Sequence, residues 1–124
     1  MEKRTIAGCL FIDSDKILLI KRAKEKTWEL PGGTQEEGED PEETALRETK
    51  EEIGVDAEII QQFGTYEFLK DSIRYENFVF EATIKTGKPL PKVIEGIEEV
   101  EWIPIKKINN YPLSPNIPLI LEDL

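Results

Sequence analysis

Three glutamates, Glu48, Glu51 and Glu52, recur at i, i+3 and i+4 in the segment Pro41–Ile53. On a helix at 100° per residue they fall within an arc of roughly 100°. Ala45, Leu46, Thr49 and Ile53 fill an adjoining arc of roughly 100°, the face that would pack on a sheet. Like charges at this spacing cost a helix roughly 0.2–0.5 kcal/mol per exposed pair, and more once desolvated. Arg47 and Lys50 are close in sequence, but on a helix both point largely to other sides. A hard divalent cation takes oxygen ligands and would reverse the local field. On charge alone, a solvated acidic face explains the same residues.

The spacing of the surrounding residues changes that balance. Gly33 is followed at fixed intervals by Glu39, Arg47-Glu48, Glu51-Glu52 and Gly54, within GTQEEGEDPEETALRETKEEIGV. This segment, residues 33–55, resembles the Nudix box of the Nudix hydrolase superfamily, whose best-known branch is MutT-like. All of the fixed positions are filled, which has a chance probability on the order of 10⁻⁵ in a chain of this composition. Thr49 departs from the pattern, standing where the family usually has an aliphatic residue. The lead-in Trp28-Glu29-Leu30-Pro31-Gly32 is also similar to the family.

The resemblance implies a single Nudix domain over 1–124. The implied fold is α/β (α+β): an α/β/α sandwich with a mixed β-sheet and a loop–helix–loop box. It further implies hydrolysis of a nucleoside diphosphate linked to another group, with Mg²⁺ or Mn²⁺ as cofactor. Glu48, Glu51 and Glu52 would hold the ion, joined by the carbonyl of Gly32. Arg47 would pair with Glu39, and Gly33 and Gly54 would shape the box. The general base would be Glu48 or an acid of a later loop. Among Glu95, Glu98 and Glu99, the first is favoured, since Glu-Gly before a strand-borne tryptophan resembles MutT-like members. The physical logic is coherent: a pyrophosphate repels an electron-rich attacker, and a bound cation offsets charge and acidifies water.

The resemblance also suggests substrate contacts. Arg22 stands where MutT-like enzymes place a basic contact, although a strand-end charge is an equal reading. Asn116-Ile117-Pro118 resembles an Asn-x-Pro that reads a purine edge, and an amide suits a paired donor and acceptor. The same Asn116 could instead cap a helix. Trp28, Tyr75 and Phe78 could stack a base or simply fill the core. Landmarks of branches acting on ADP-ribose or dinucleoside polyphosphates are absent, since Asp71, Ser72 and Ile73 stand there. A MutT-like nucleoside triphosphate pyrophosphohydrolase is therefore the leading expectation. A nucleotide-sugar or dinucleoside polyphosphate pyrophosphatase is the alternative, and a catalytically silent nucleotide-binding module a third.

The elements that must position these groups are legible in outline. Thr5–Ile12 and Lys16–Arg22 read as a hairpin about Asp13-Ser14-Asp15. Trp28–Leu30 is a short strand stopped by Pro31-Gly32-Gly33, and Thr34–Asp40 a loop. Asp40 and Pro41 begin a helix that Gly54 ends. Ala57–Leu69 and Ile73–Ile84 are strands, Val100–Ile103 a short one, and Pro104–Ile108 and Asn116–Leu124 helical pieces. With 124 residues, one domain is expected.

Composition removes other chemistries. There is no histidine and one cysteine, Cys9, in an apolar run. Histidine triads, disulfides and multi-cysteine zinc sites are excluded, and Cys9 reads as core. The formal charge of -10 opposes a general nucleic-acid binder. No apolar stretch nears the ~20 residues of a membrane span, and no leader is visible. The expectation is a soluble, cytoplasmic monomer or homodimer with a small nucleotide substrate and no membrane or nucleic-acid partner.

Overall fold

The computed structural model describes residues 1–124. The chain runs β1 (Lys3–Leu10), β2 (Ile12–Asp13), β3 (Lys16–Arg22), β4 (Trp28–Glu29), β5 (Gly32–Thr34), α1 (Pro41–Ile53), β6 (Asp56–Lys70) and β7 (Ile73–Thr86). A 3-10 turn (Val93–Glu95), β8 (Ile97–Pro104), a second 3-10 turn (Ile105–Asn110) and α2 (Asn116–Leu121) complete it.

The strands form two sheets. One has the order β5-β1-β7-β6 and is mixed, because β1 runs parallel to β7 while its other pairings are antiparallel. The other is wholly antiparallel and built on β3, which pairs with β2, β4 and β8. The mixed α+β sandwich is as expected, but it holds two sheets where one was expected. The reason lies at Phe11. The expected hairpin forms only at Ile12–Asp13 against Lys16–Ile17, turning through Ser14 and Asp15 at positive φ. Upstream, β1 pairs with β5 and β7 rather than with β3.

Alternation along β1 divides the core. Ala7, Cys9 and Phe11 join Leu18, Ile20, Phe80 and Ala82 beneath α1, which contributes Ala45 and Ile53. Leu10, Ile17, Leu19, Trp28 and Val79 face α2, which contributes Ile117 and Ile120. Cys9 is fully buried, and burial pushes its thiol up to about 11, so it is inert core.

The helix α1 has the bounds its signals predict. The Asp40 carboxylate accepts from the Glu43 amide at 2.9 Å, and the Glu43 carboxylate accepts from the Asp40 amide at 3.0 Å, a reciprocal cap. At the far end Gly54 takes φ 73°, a left-handed cap. The buried face is Thr44, Ala45, Thr49, Glu52 and Ile53, while Leu46 is only half-buried. The packing stripe is thus rotated toward Glu52 relative to expectation. The Thr49 hydroxyl is buried with no oxygen or nitrogen partner, only the Cys9 thiol beside it. That orphan costs roughly 1–3 kcal/mol, which is why an aliphatic residue suits the position.

Two stability measurements follow from the helix. Asp40→Ala should lower the free energy of urea unfolding by about 1 kcal/mol, and Asp40→Asn by only a fraction of that. Thr49→Val, which keeps the shape and deletes the orphan, should raise it by about 1 kcal/mol. A destabilised Thr49→Val protein would mean that the thiol suffices as a partner.

Candidate active site

The first turn of the site is made by backbone proximity. Gly32 lies opposite Gly8 in the β1–β5 pairing. A Cβ on Gly32 would sit 2.4 Å from the Ala7 carbonyl oxygen and 2.6 Å from the Gly8 Cα. Gly33 is constrained from the other side, since its Cβ would meet the Glu48 Cδ at 2.5 Å. Pro31-Gly32-Gly33 therefore does more than stop a strand. It enters a strand of its own, β5, where Gly32 and Gly33 were expected only as a stop and Thr34 as the start of a loop.

Against this turn α1 sets its carboxylates. Glu52 is 2% exposed. One of its oxygens accepts from the Gly32 amide at 2.8 Å, and the other from Arg22 Nη2 at 2.7 Å. Burial dominates and pushes the Glu52 carboxyl up to about 8, although Arg22 and the Gly32 amide pull the other way. Burial also raises Glu48, against the pull of Arg47. Glu51 is exposed and held by Arg47 Nη1 at 3.2 Å.

The two arginines correct an expectation. Arg47 does not point away from the carboxylates. It donates through Nη1 to Glu48 at 2.8 Å and to Glu51, through Nη2 to the Thr34 carbonyl at 3.1 Å, and through Nε to Glu39 at 2.6 Å. Arg22 reaches from the end of β3 to Glu52, Glu29 and the Gly32 carbonyl. Burial opposes its charge, but Glu29 and Glu52 more than offset this and hold it protonated. In this arrangement no three acidic side chains are gathered closely enough to hold an ion. The guanidinium groups of Arg22 and Arg47 supply countercharge to these carboxylates.

The donor set nonetheless fits a hard cation. Three carboxylates and the Gly32 carbonyl are all oxygen ligands, the set that Mg²⁺ or Mn²⁺ prefers to nitrogen or sulfur. The Glu52 carboxyl, buried on α1, has one guanidinium and one backbone amide as its partners and keeps further oxygen lone pairs that a cation could use.

The cavity beside these groups measures about 340 Å³. Arg22, Gly32, Gly33, Glu48 and Glu52 line one part of it, and Glu95 and Asn116 are also on its wall. Glu95 is exposed at the end of the 3-10 turn before Gly96, while Glu98 and Glu99 are held by Lys21 and Lys26. Trp28 and Phe78 are not on that wall. Trp28 is 4% exposed and packs edge-on against Tyr111 at 5.5 Å, and Phe78 packs into the core under α1. The aromatic wall is instead Phe68 and Tyr75, stacked at 5.2 Å across the β6–β7 pair. Of these, Phe68 was not anticipated, because register between two long strands decides which aromatics share a face. Asn116 begins α2 without capping it, so the capping alternative does not hold.

Glu39 gives a pH test of how the loop is pinned to α1. Arg47 chiefly, with the Glu36 amide and the Thr44 hydroxyl, holds its carboxyl down to about 2. A depressed acid contributes stability that is present above its unfolded value near 4.5 and is lost as pH falls toward 2. Wild type should therefore exceed Glu39→Gln in stability at neutral pH, and urea midpoints of the two should converge across that window. A constant gap down to pH 2 would mean that the pair does not carry the difference.

Comparison with known proteins agrees with the geometry. The NUDIX domain model matches residues 2–124. The Bacillus subtilis Nudix hydrolase YvcI is 30% identical over 122 residues, covering 94% of this chain and 76% of its own length. A second Bacillus subtilis protein, provisionally named an 8-oxo-dGTP diphosphatase, is 36% identical over 93 residues, 73% of this chain and 59% of its own. The crystal structure of a MutT NUDIX hydrolase from Burkholderia pseudomallei superposes with a TM-score of 0.91 at 24% identity, covering 100% of this chain and 99% of that one. No helix is long and apolar enough to cross a membrane. By box, fold and whole-length family match, this chain belongs to the Nudix family as a hydrolase of MutT-like type.

Proposed function

We propose that the chain is a divalent-cation-dependent nucleoside triphosphate pyrophosphohydrolase, releasing a nucleoside monophosphate and pyrophosphate. One observation carries this reading: a single cavity of about 340 Å³ is lined by the box carboxylates Glu48 and Glu52 and also by an aromatic pair and the Asn116 amide. Charge-bearing oxygens suit a polyphosphate and its counter-ion. Stacked rings and an amide suit a base. The provisional name of the second Bacillus subtilis relative is consistent with a triphosphate substrate.

Glu48, Glu51, Glu52 and the Gly32 carbonyl would hold Mg²⁺ or Mn²⁺, which when bound offsets phosphate charge and acidifies water. The remaining roles belong to side chains. Arg22, already on the cavity wall, can shift its guanidinium from Glu52 to a phosphate oxygen while Glu29 still holds it. Arg47 holds loop to helix through Glu39 and keeps Glu48 oriented over Gly33. Glu95, exposed on the wall, would accept the proton of an attacking water. We assign the cytoplasm as its location, with no nucleic-acid or membrane partner.

A panel of nucleoside triphosphates, ADP-ribose, nucleotide sugars and dinucleoside polyphosphates, assayed with Mg²⁺ and product identification, tests the reading. Monophosphate and pyrophosphate from a triphosphate are expected. Equal or better turnover of ADP-ribose would replace the proposed substrate. Glu52→Gln should lower kcat/KM by at least about 100-fold, since even changes behind a metal ligand cost 10–100-fold. Undiminished metal-dependent activity in that variant would refute the assignment of Glu52.

A further inference from the structure

Arg22 and Glu29 form a half-buried ion pair on the cavity wall, outside the box. Ile20 stands opposite Glu29 in the β3–β4 pairing, so Arg22, two residues on, shares the face of Glu29 and is diagonal to it. Arg22 Nε donates to the Glu29 carboxylate. Nη2 is shared between Glu52 at 2.7 Å and the Gly32 carbonyl at 3.1 Å, and Nη1 has no partner in the protein. The anchor itself is firmly held. The Trp28 amide donates to the Pro112 carbonyl at 2.8 Å, and the Ser114 amide to the Trp28 carbonyl at 3.0 Å. The β3–β8 register shifts between Lys21 and Arg22, an irregularity of the kind that re-aims a side chain.

By field alone, Glu29 is in the wrong place for a polyphosphate site. Glu25, Glu29, Glu48, Glu52 and Glu95 already line the cavity against Arg22 and Lys70, and each further acid repels a phosphate. What Glu29 supplies is an anchor. A long arginine side chain loses rotamer freedom when it grips a ligand, and one already held at Nε loses less. We propose that Glu29 is a positioning residue, which holds Arg22 by Nε and so aims Nη1 and Nη2 at the phosphate oxygens of the substrate. With Nε committed to Glu29, the two outer nitrogens remain as a fork, and a fork matches two phosphate oxygens at once. This inference rests on the nucleotide reading above and adds the residue that aims its arginine.

The experiment measures pyrophosphate binding by calorimetry with Mg²⁺ present, and KM and kcat for the best triphosphate of the panel above. The proteins are wild type, Glu29→Gln, Glu29→Asp, Arg22→Gln, the Glu29→Gln/Arg22→Gln double variant and Glu25→Gln. Thermal unfolding of each shows which variants are folded. Arg22→Gln should weaken pyrophosphate binding about 10- to 100-fold, the range of a lost contact to a charged group. Glu29→Gln should weaken it about 3- to 10-fold, the cost of ordering one long side chain, and should raise KM more than it lowers kcat. In the Arg22→Gln background the same change should matter by no more than about 2-fold. Glu25→Gln removes a like charge from the same wall without touching Arg22, and should tighten pyrophosphate binding. Glu29→Asp keeps the charge but shortens the reach. It should weaken binding by a smaller factor, and it carries the test if Glu29→Gln does not fold. Tighter binding by Glu29→Gln, as relief of repulsion requires, overturns the inference. So does a loss of the same size with Arg22 already removed, or an equal loss in Glu25→Gln. Unchanged binding in Arg22→Gln overturns the phosphate role of Arg22 and this inference with it. Failure to hydrolyse any triphosphate would overturn the functional reading, whereas hydrolysis with every folded Glu29 variant equal to wild type would overturn the inference alone.

Discussion

The Glu52 carboxylate is the group around which the molecule is arranged. It sits on the buried face of α1, yet its oxygens must be met, because an unpaired buried charge costs several kcal/mol. The fold meets them with one backbone amide and one guanidinium, from Gly32 and Arg22. Each demand propagates. The Gly32 amide is available only because β5 lies tightly against β1, which requires Gly8 and Gly32 to face one another without side chains. Arg22 is available only because β3 ends there, at a register shift opposite β8. The two sheets and the helix thus meet at one carboxylate.

This explains why the box was legible in the sequence and its surroundings were not. Helix bounds follow from local rules: Asp40 and Glu43 cap each other and Gly54 takes a left-handed conformation, all within a short span of sequence. The expected pairing of Arg47 with Glu39 is also a contact close in sequence, and it forms. By contrast, Arg22 meets Glu52 across thirty residues of sequence, and no periodicity reports that. The hidden strand β5 is short and glycine-rich, so it lacks the β-branched residues by which strands are read. One signal for it was present. Gly8 interrupts an otherwise strand-like run, and glycine inside a strand marks close approach of another backbone.

The aromatic residues show the same limit. Trp28 and Phe78 were as plausible as Phe68 and Tyr75 on type alone. The structure separates them by face: along β7, Tyr75 and Asn77 line the cavity while Phe78 and Phe80 pack beneath α1. A shift of register by one residue would exchange these sets. Bulges in β6 at Ile59/Gln61 and Gln62/Gly64 help determine which residues stand opposite β7, and bulges leave little trace in composition.

The arginines also resolve an apparent conflict between stability and cation binding. A cluster of bare carboxylates would repel itself and weaken α1. A cluster neutralised by deeply buried partners would be stable but closed to a cation. Arg22 and Arg47 take an intermediate course, with side chains 24% and 23% exposed. Each is held by a glutamate outside the trio as well, Glu29 for Arg22 and Glu39 for Arg47. A guanidinium so anchored can give up its contact with the trio without leaving its place, because its other partner remains. On the proposed function, the cost of admitting a cation would then be a rearrangement of hydrogen bonds among groups that stay paired, rather than the exposure of an unpaired charge. Glu29 lies outside the box, yet on this argument it has the same function for Arg22 that Glu39 has for Arg47.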